Sequence, residues 1–219
     1  MRDILLNICP VAIWAIVICE FIIAVLLFIR WKGTKQTLAL LTFLLSVGLI
    51  LDAVIIGLGS MMQPEVLKVI SPVRFIAHGV LIPLLFPICG YALGFKKPLK
   101  RAVWILTALL MAAGAAQAFG TVLEPKEIAG VLRYVSSEDT PKWADMISNV
   151  LSFGTVIPMM IAGVIVWIRQ KAPQLFLAAF LMFLFSALGP ATGNMDLIFF
   201  VSMFGELFMV LFLYLYAKR

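Results

Sequence analysis

Seven long apolar runs constrain this chain more than any other feature of its sequence. Most have the length, about 20 residues, that an α-helix needs to cross the hydrocarbon core of a bilayer. The runs cover residues 4–29, 36–59, 67–95, 102–120, 146–168, 173–188 and 197–216. They do not alternate apolar and polar residues as the strands of a membrane β-barrel do. We therefore predict an all-α protein, a bundle of seven transmembrane helices that forms one integral membrane domain over residues 1–219.

The composition agrees with this assignment. Of the 219 residues, 63% are hydrophobic and only 13% are charged, whereas about a quarter of a soluble domain is charged. A soluble globular protein and a disordered chain are both excluded on these grounds. The net charge of +6 does not indicate nucleic-acid binding, because the positions of the basic residues account for it.

Basic residues cluster in every second connection between the runs. These clusters, which contain no Asp or Glu, are Arg30, Lys32 and Lys35; Lys96, Lys97, Lys100 and Arg101; Arg169 and Lys171; and Lys218 and Arg219. The other connections carry most of the acidic residues. By the positive-inside rule the basic clusters and the C-terminus are cytoplasmic, and seven spans then place the N-terminus outside. We expect the chain to lie in the cell or plasma membrane.

The sequence also contains a candidate internal repeat. Residues 25–32 (VLLFIRWK) are similar to residues 164–171 (VIVWIRQK), and each segment precedes another apolar helix. This similarity predicts a 3+1+3 parallel repeat, with residues 4–95 repeated as 146–217 and the helix at 102–120 as linker. The alternative is that apolar helices ending in Arg resemble one another through composition alone.

The connection at residues 121–145 is the longest, and its Glu, Lys, Ser and Pro content predicts a solvated hairpin or a short helix. It is either a plain connector or, as loops of this length sometimes are, a functional lid.

Ionisable side chains are costly at membrane depth and usually face the interior of a bundle, so they mark candidate sites. Asp52 lies in the outer half of the second run, and Arg74 and His78 lie four residues apart in the outer part of the third. That spacing places Arg74 and His78 on one helix face. We predict that Asp52, Arg74 and His78 meet in an outward-facing polar cavity. The candidate rim residues are Asn149, Asn194 and Asp196.

This cluster has two interpretations. It is either a solute, ion or proton pathway in which His78 titrates, or a structural Asp52–Arg74 pair that neutralises two buried charges. Glu20 and Glu206 lie deeper, near the middle of the first and seventh runs, and neither has a basic residue at an equal depth. They are predicted either to relay protons or to hydrogen-bond across helices.

The third run resembles the third-helix signature of microbial rhodopsins. Arg74, Phe75 and the later Pro83-Leu84-Leu85 match that signature in place. The resemblance implies an opsin-like bundle. The counterion carboxylate position is Ala77, however, and the Trp position is His78. No Lys occurs between Lys171 and Lys218, so covalent retinal is not expected. The 3+1+3 layout also resembles SWEET and PQ-loop transporters, but no Pro-Gln pair lies inside a span at the expected place, and Pro173-Gln174 begins one.

Three functions remain open from the sequence. The first is binding or transport of a small solute or ion through the outer cavity, with or without a link to protons. The second is a ligand sensor or an accessory membrane subunit, and the third is a lipid-processing enzyme. No catalytic motif is recognisable, and a single His argues against a multi-histidine metal site. We therefore expect no metal and no cofactor. The expected partners are the bilayer and a small solute, an ion or a proton, and the sequence is compatible with an oligomer.

Overall fold

Helices make up most of the chain. The computed structural model describes the backbone of residues 2–192 and 195–219 and the side chains of residues 8–187 and 201–219. Within these residues the α-helices are α1 (Arg2–Thr34), α2 (Thr37–Leu58), α3 (Pro64–Ile70), α4 (Pro72–Leu81), α5 (Leu85–Ala92), α6 (Lys97–Gly120), α7 (Lys142–Gln170), α8 (Gln174–Thr192) and α9 (Met195–Ala217). A helix or group of helices therefore covers each of the seven predicted runs.

Five helical segments are long and apolar enough to cross a membrane. They are Ile8–Thr34, Thr37–Leu58, Pro64–Ala92, Lys97–Gly120 and Lys142–Gln170. The described parts of the last two helices, Gln174–Ala187 and Val201–Ala217, are apolar but shorter. The prediction of helices long and apolar enough to cross a membrane is thus confirmed for these five segments, and the seven-span topology stays a prediction. The 3+1+3 repeat also stays a prediction.

The third segment is broken rather than continuous, which corrects the single helix expected over 67–95. α3 ends at Ile70, and Ser71 separates it from α4, whose first residue is Pro72. A 3₁₀ turn, Ile82–Leu84, then separates α4 from α5 and contains Pro83. Proline has no N–H to donate, so a regular helix is interrupted at both places.

α8 is longer than expected. The run 173–188 was predicted to end before Gly189-Pro190, whereas α8 extends to Thr192. Apolar composition defines the membrane-embedded part of a helix, but the helix itself ends where hydrogen bonding ends.

The long helices form a closed bundle. Each packs against the next along the chain, with the broken third segment between α2 and α6, and α9 returns to pack against both α1 and α2. The outward faces are apolar, as the lipid phase requires. Ile18 and Ile22 on α1, Ile105 and Leu109 on α6, and Ile161 on α7 are all more than half exposed.

The connection between α6 and α7 contains an antiparallel β-hairpin, so the fold is not purely helical. β1 (Leu123–Ile128) pairs with β2 (Val131–Ser136), with Ile128 opposite Val131. The two turn residues, Ala129 and Gly130, have φ values of 50° and 76°. Both angles lie in the left-handed region that a type I′ hairpin turn requires and that suits Gly130.

A hairpin is one of the two structures predicted for this connection, but it is only partly solvated. β1 is mostly exposed, but Ile128, Ala129 and Val131 are buried among Cys9, Ile13, Ile56 and other residues of α1, α2 and α9. The tip of the hairpin therefore inserts into one end of the bundle, which we call the hairpin end.

The opposite end carries the basic clusters and is called the basic end. There the Gln170 Nε2 donates a hydrogen bond of 2.8 Å to the Ala92 carbonyl oxygen, and the Tyr216 hydroxyl donates one of 3.0 Å to Gln170 Oε1. A large core that includes Leu27, Leu45 and Leu213 packs between this end and the middle of the bundle. Apolar side chains thus fill the interior of the bundle between its middle and the basic end.

Candidate functional site: a polar cavity at the hairpin end

An ion pair between α2 and α4 forms one wall of the site. The Arg74 Nε donates a hydrogen bond of 2.7 Å to Asp52 Oδ1. The two side chains are only 8% and 12% exposed, respectively. A charge-assisted hydrogen bond of this length, in surroundings of low dielectric constant, holds the two helices in one register. The predicted contact between Asp52 and Arg74 is therefore present in the structure.

The hairpin is held over the same pair. The Arg74 Nη1 donates a hydrogen bond of 3.4 Å to the carbonyl oxygen of Tyr134 in β2. The Tyr134 hydroxyl in turn donates one of 3.2 Å to the carbonyl oxygen of Pro64 at the start of α3. Arg74 thus connects α2, α4 and the hairpin, which a lone helix–helix ion pair would not do.

A cavity of about 230 Å³ lies beside this pair. Its lining combines ionisable side chains with serine hydroxyls and one amide: Asp52, Arg74, His78, Arg133, Glu206, Ser148, Ser152, Ser202 and Gln117. These residues come from α2, α4, α6, β2, α7 and α9. The structure therefore brings Asp52, Arg74 and His78 together, and the cavity is a place where six elements expose polar groups to one another.

Glu206 lies in this cavity and not apart from it, which corrects the expectation that it has no basic neighbour. Glu206 lines the same cavity as Arg74 and Arg133, and its charge interacts with the charges of both. The sequence could not reveal this because Arg133 reaches the cavity from the hairpin, 73 residues away along the chain. The carboxyl of Glu206 therefore belongs to the same electrostatic cluster as Asp52.

Arg133 is the most perturbed charged group outside the membrane helices. Burial lowers the pKa of the Arg133 guanidinium to about 9, and the nearby charge of Arg74 acts in the same direction. Asp52 and Glu206 oppose this shift, since a negative charge favours the protonated guanidinium. Arg133 is thus a buried cation whose charge interacts with those of Arg74, Asp52 and Glu206.

Glu20 lies behind the cavity and not in its lining. Its side chain is completely buried on α1, and neither carboxyl oxygen has a hydrogen-bond partner among the described residues. Its charge interacts with those of Asp52 and Glu206. α1 packs against both α2 and α9, which carry those two residues. Three carboxyl groups from three neighbouring helices therefore cluster at the inner side of the cavity.

Of the three predicted rim residues, the structure describes the side chain of Asn149 alone. Asn149 does not line the polar cavity but an adjoining one, described below. Asn194 lies outside the described residues, and only the backbone of Asp196, within α9, is described.

A second, mainly apolar chamber of about 250 Å³ adjoins the polar cavity. His78 and Ser152 line both spaces. The other walls come mostly from apolar side chains of α4 to α9: Ile82, Leu85, Phe153, Val156, Met182, Phe183 and Met209, with Asn149, Thr155 and Ser186. Polar and apolar spaces thus meet at His78, which the sequence marked only as a titratable group.

Arg133, Gln117 and the serines of the lining were not predicted from the sequence. Arg133 was counted among the charges of an outer connection, and serines are common in membrane helices. One signal pointed to the hairpin: the apolar residues Ile128 and Val131 flank the small Ala129-Gly130 pair, a pattern typical of a hairpin with a buried tip.

Among the described residues, no group of three or more His, Cys, Asp or Glu side chains is placed to hold a metal ion. Comparison with known proteins identifies no relative: no protein-family model matches the chain, and no curated protein matches it significantly. The functional assignment therefore rests on the geometry of the cavity.

Proposed function

We propose that all seven helical segments cross a cell or plasma membrane, with the N-terminus outside and the C-terminus in the cytoplasm. The clustering of basic residues at one end of the bundle supports this orientation through the positive-inside rule. The polar cavity then opens toward the outside beneath the hairpin. The bundle is opsin-like in this proposal, but it lacks the retinal lysine.

Within this topology, the proposed function is binding or transport of a small solute or ion through the polar cavity, linked to protons. The observation that carries the proposal is the convergence of Asp52, Arg74, His78, Arg133 and Glu206 on one cavity of about 230 Å³. A structural ion pair needs two charged groups, whereas this cavity holds five titratable groups and unfilled space. Intramembrane groups of this kind are costly and usually functional.

Glu20 supports the proton-linked part of the proposal. A fully buried carboxyl without a hydrogen-bond partner among the described residues is unfavourable when charged. Glu20 lies on α1, which packs against α2 and α9, the helices that carry Asp52 and Glu206. The proposed role of Glu20 is to exchange protons with those two carboxyls as a ligand enters or leaves.

A sensor or accessory subunit is the second candidate, and one observation favours it. The apolar core around Leu45 and Leu213 separates the cavity from the basic end. A cavity with access from one side fits a receptor, whereas a transporter must also open toward the other side.

A binding screen on the purified protein tests the proposal. Small organic anions, amino acids, sugars and monovalent cations are added one at a time, and the melting temperature is measured for the wild type and for His78→Ala. We expect at least one compound to stabilise the wild type and to stabilise His78→Ala less, while both proteins are recovered in equal folded yield. Equal losses of yield and of ligand response would instead assign His78 a structural role.

A further inference from the structure

The polar cavity and the apolar chamber lie side by side, because His78 and Ser152 line both of them. Drug-sized ligands occupy cavities of about 300–1,000 Å³. The polar cavity at about 230 Å³ and the chamber at about 250 Å³ are each below that range, but they adjoin at His78 and Ser152 and together fall within it. A ligand that fills both must be polar at one end and apolar at the other.

The chamber also opens to the lipid-facing surface of the bundle. Phe153 on α7 and Phe183 on α8 line the chamber and are nevertheless 56% and 37% exposed. A surface groove along α7 shares Asn149 and Phe153 with the chamber and ends at Lys142 and Asp145, two charged residues at the hairpin end of α7. Polar and charged groups at the end of an apolar groove fit a molecule that resides in a lipid leaflet with its head at the interface.

The polar cavity selects the kind of head group. Asp52 is bonded to Arg74, and the lining has three further ionisable groups: His78 and the pair Arg133 and Glu206. A carboxyl group complements this pair: it accepts hydrogen bonds from a guanidinium and, when it carries a proton, donates one to a carboxylate. A quaternary ammonium group can do neither of these things.

We propose that the ligand of this site is a single-chain carboxylic acid of medium length, with its carboxyl group in the polar cavity and its hydrocarbon chain in the apolar chamber. This inference rests on the proposed binding function and names its substrate class. The chain enters from the outer leaflet along α7, and His78 lies at the junction between head and tail.

Photolabelling in lipid nanodiscs tests this assignment. The probe is a decanoic acid analogue with a diazirine group in its chain, and the labelled residues are located by mass spectrometry. We expect labels on the chamber residues Phe153, Met182 and Phe183. Excess decanoic acid should reduce this labelling about tenfold, whereas butyric acid and decyltrimethylammonium at the same concentration should leave it nearly unchanged.

Two pairs of variants locate the two ends of the ligand. Arg133→Gln should lower labelling about tenfold, the effect of losing one charge-assisted hydrogen bond. Lys126→Gln is its control, because Lys126 is the exposed cross-strand neighbour of Arg133 and does not line the cavity. Met182→Trp should fill the chamber and abolish labelling, and Leu109→Trp on the exposed face of α6 should not.

If decyltrimethylammonium reduces the labelling as much as decanoic acid does, the assignment of the head group is wrong. Labels concentrated on Ile105 and Leu109 would indicate ordinary lipid contact and would overturn the site. If either result occurs while other solutes still stabilise the wild type in the binding screen, the ligand class is wrong and the binding function stands. If neither labelling nor stabilisation is observed, both proposals fail.

Discussion

Asp52 and Arg74 show at the level of single residues how a membrane protein keeps charge in its interior. Each charge alone would be costly to remove from water, and their 2.7 Å contact compensates both. The further hydrogen bond from Arg74 to the Tyr134 carbonyl adds the hairpin to this unit. The pair therefore links α2, α4 and the hairpin, and it forms one wall of the polar cavity.

Neutralising one member of the pair should cost more than neutralising both. Asp52→Asn leaves the Arg74 guanidinium buried without its counter-charge, and removing one partner of such a pair typically costs about 3–5 kcal/mol. The double variant Asp52→Asn/Arg74→Gln has no buried charge at this position, so it should recover part of that loss. The free energies of unfolding of the wild type, the two single variants and the double variant, measured in mixed micelles, give the coupling energy. Additive free-energy changes would contradict a direct interaction.

Residue spacing alone identified much of this site. Arg74 and His78 were predicted on one helix face because they are four residues apart, and both line the cavity. Glu206 and Arg133 could not be assigned in the same way. Their meeting depends on how α9 and the hairpin pack against α2 and α4, and such long-range contacts leave no periodic signal in a single sequence.

At the level of elements, the crossing of α4 and α6 depends on two glycines. A Cβ atom added at Gly79 would lie 2.6 Å from the Gly114 carbonyl oxygen, and one added at Gly114 would meet the carbonyl oxygen of Gly79. Small residues at such crossings let helix backbones approach closely in lipid. Because His78 precedes Gly79 directly, this crossing also sets the position of one wall of the cavity.

Gly114→Ala should therefore destabilise the protein by about 1–3 kcal/mol, the usual cost of overpacking. The control is Gly154→Ala on α7, where the nearest atom to an added Cβ, Val150 Cγ1, is 3.7 Å away and in ordinary contact. Melting temperatures of the two variants in the same detergent provide the comparison. Equal melting temperatures would show that the α4–α6 crossing can relax without cost.

Hydropathy predicted where helices occur but not how each one is built. Continuous apolar composition located the helices, because in lipid each backbone must satisfy its own hydrogen bonds. The break at Ser71-Pro72 and the 3₁₀ turn at Pro83 are marked by prolines, yet prolines also occur in unbroken parts of this fold, such as Pro158 within α7. Whether a proline ends a helix or is accommodated depends on its neighbours.

At the level of the whole molecule, the two ends of the bundle differ in chemistry. A packed apolar core lies between the basic end and the middle of the bundle, and the hairpin end contains the polar cavity and the inserted hairpin tip. The orientation proposed from the basic clusters places the cavity on the outside, where it would meet extracellular solutes and outer-leaflet lipids.

Cysteine labelling in intact cells tests that orientation. Lys126→Cys on the hairpin and Lys97→Cys at the start of α6 are both at exposed positions, and the native Cys9, Cys19 and Cys89 are replaced by Ala in both variants. A membrane-impermeant maleimide should modify Lys126→Cys in intact cells and Lys97→Cys only after lysis. The reverse pattern would invert the topology.

Proton flux in proteoliposomes tests the proton-linked cavity most directly. Vesicles that contain a pH-sensitive dye and the wild type, Glu206→Gln or Glu65→Gln are exposed to an imposed pH gradient and membrane potential. Glu65 is an exposed residue of α3 that does not line the cavity, so its variant is the matched control. We expect the wild type and Glu65→Gln to conduct protons faster than protein-free vesicles, and Glu206→Gln to fall to the protein-free rate. A wild-type rate equal to that of protein-free vesicles, or an unchanged rate in Glu206→Gln, would contradict a proton-linked function of the cavity.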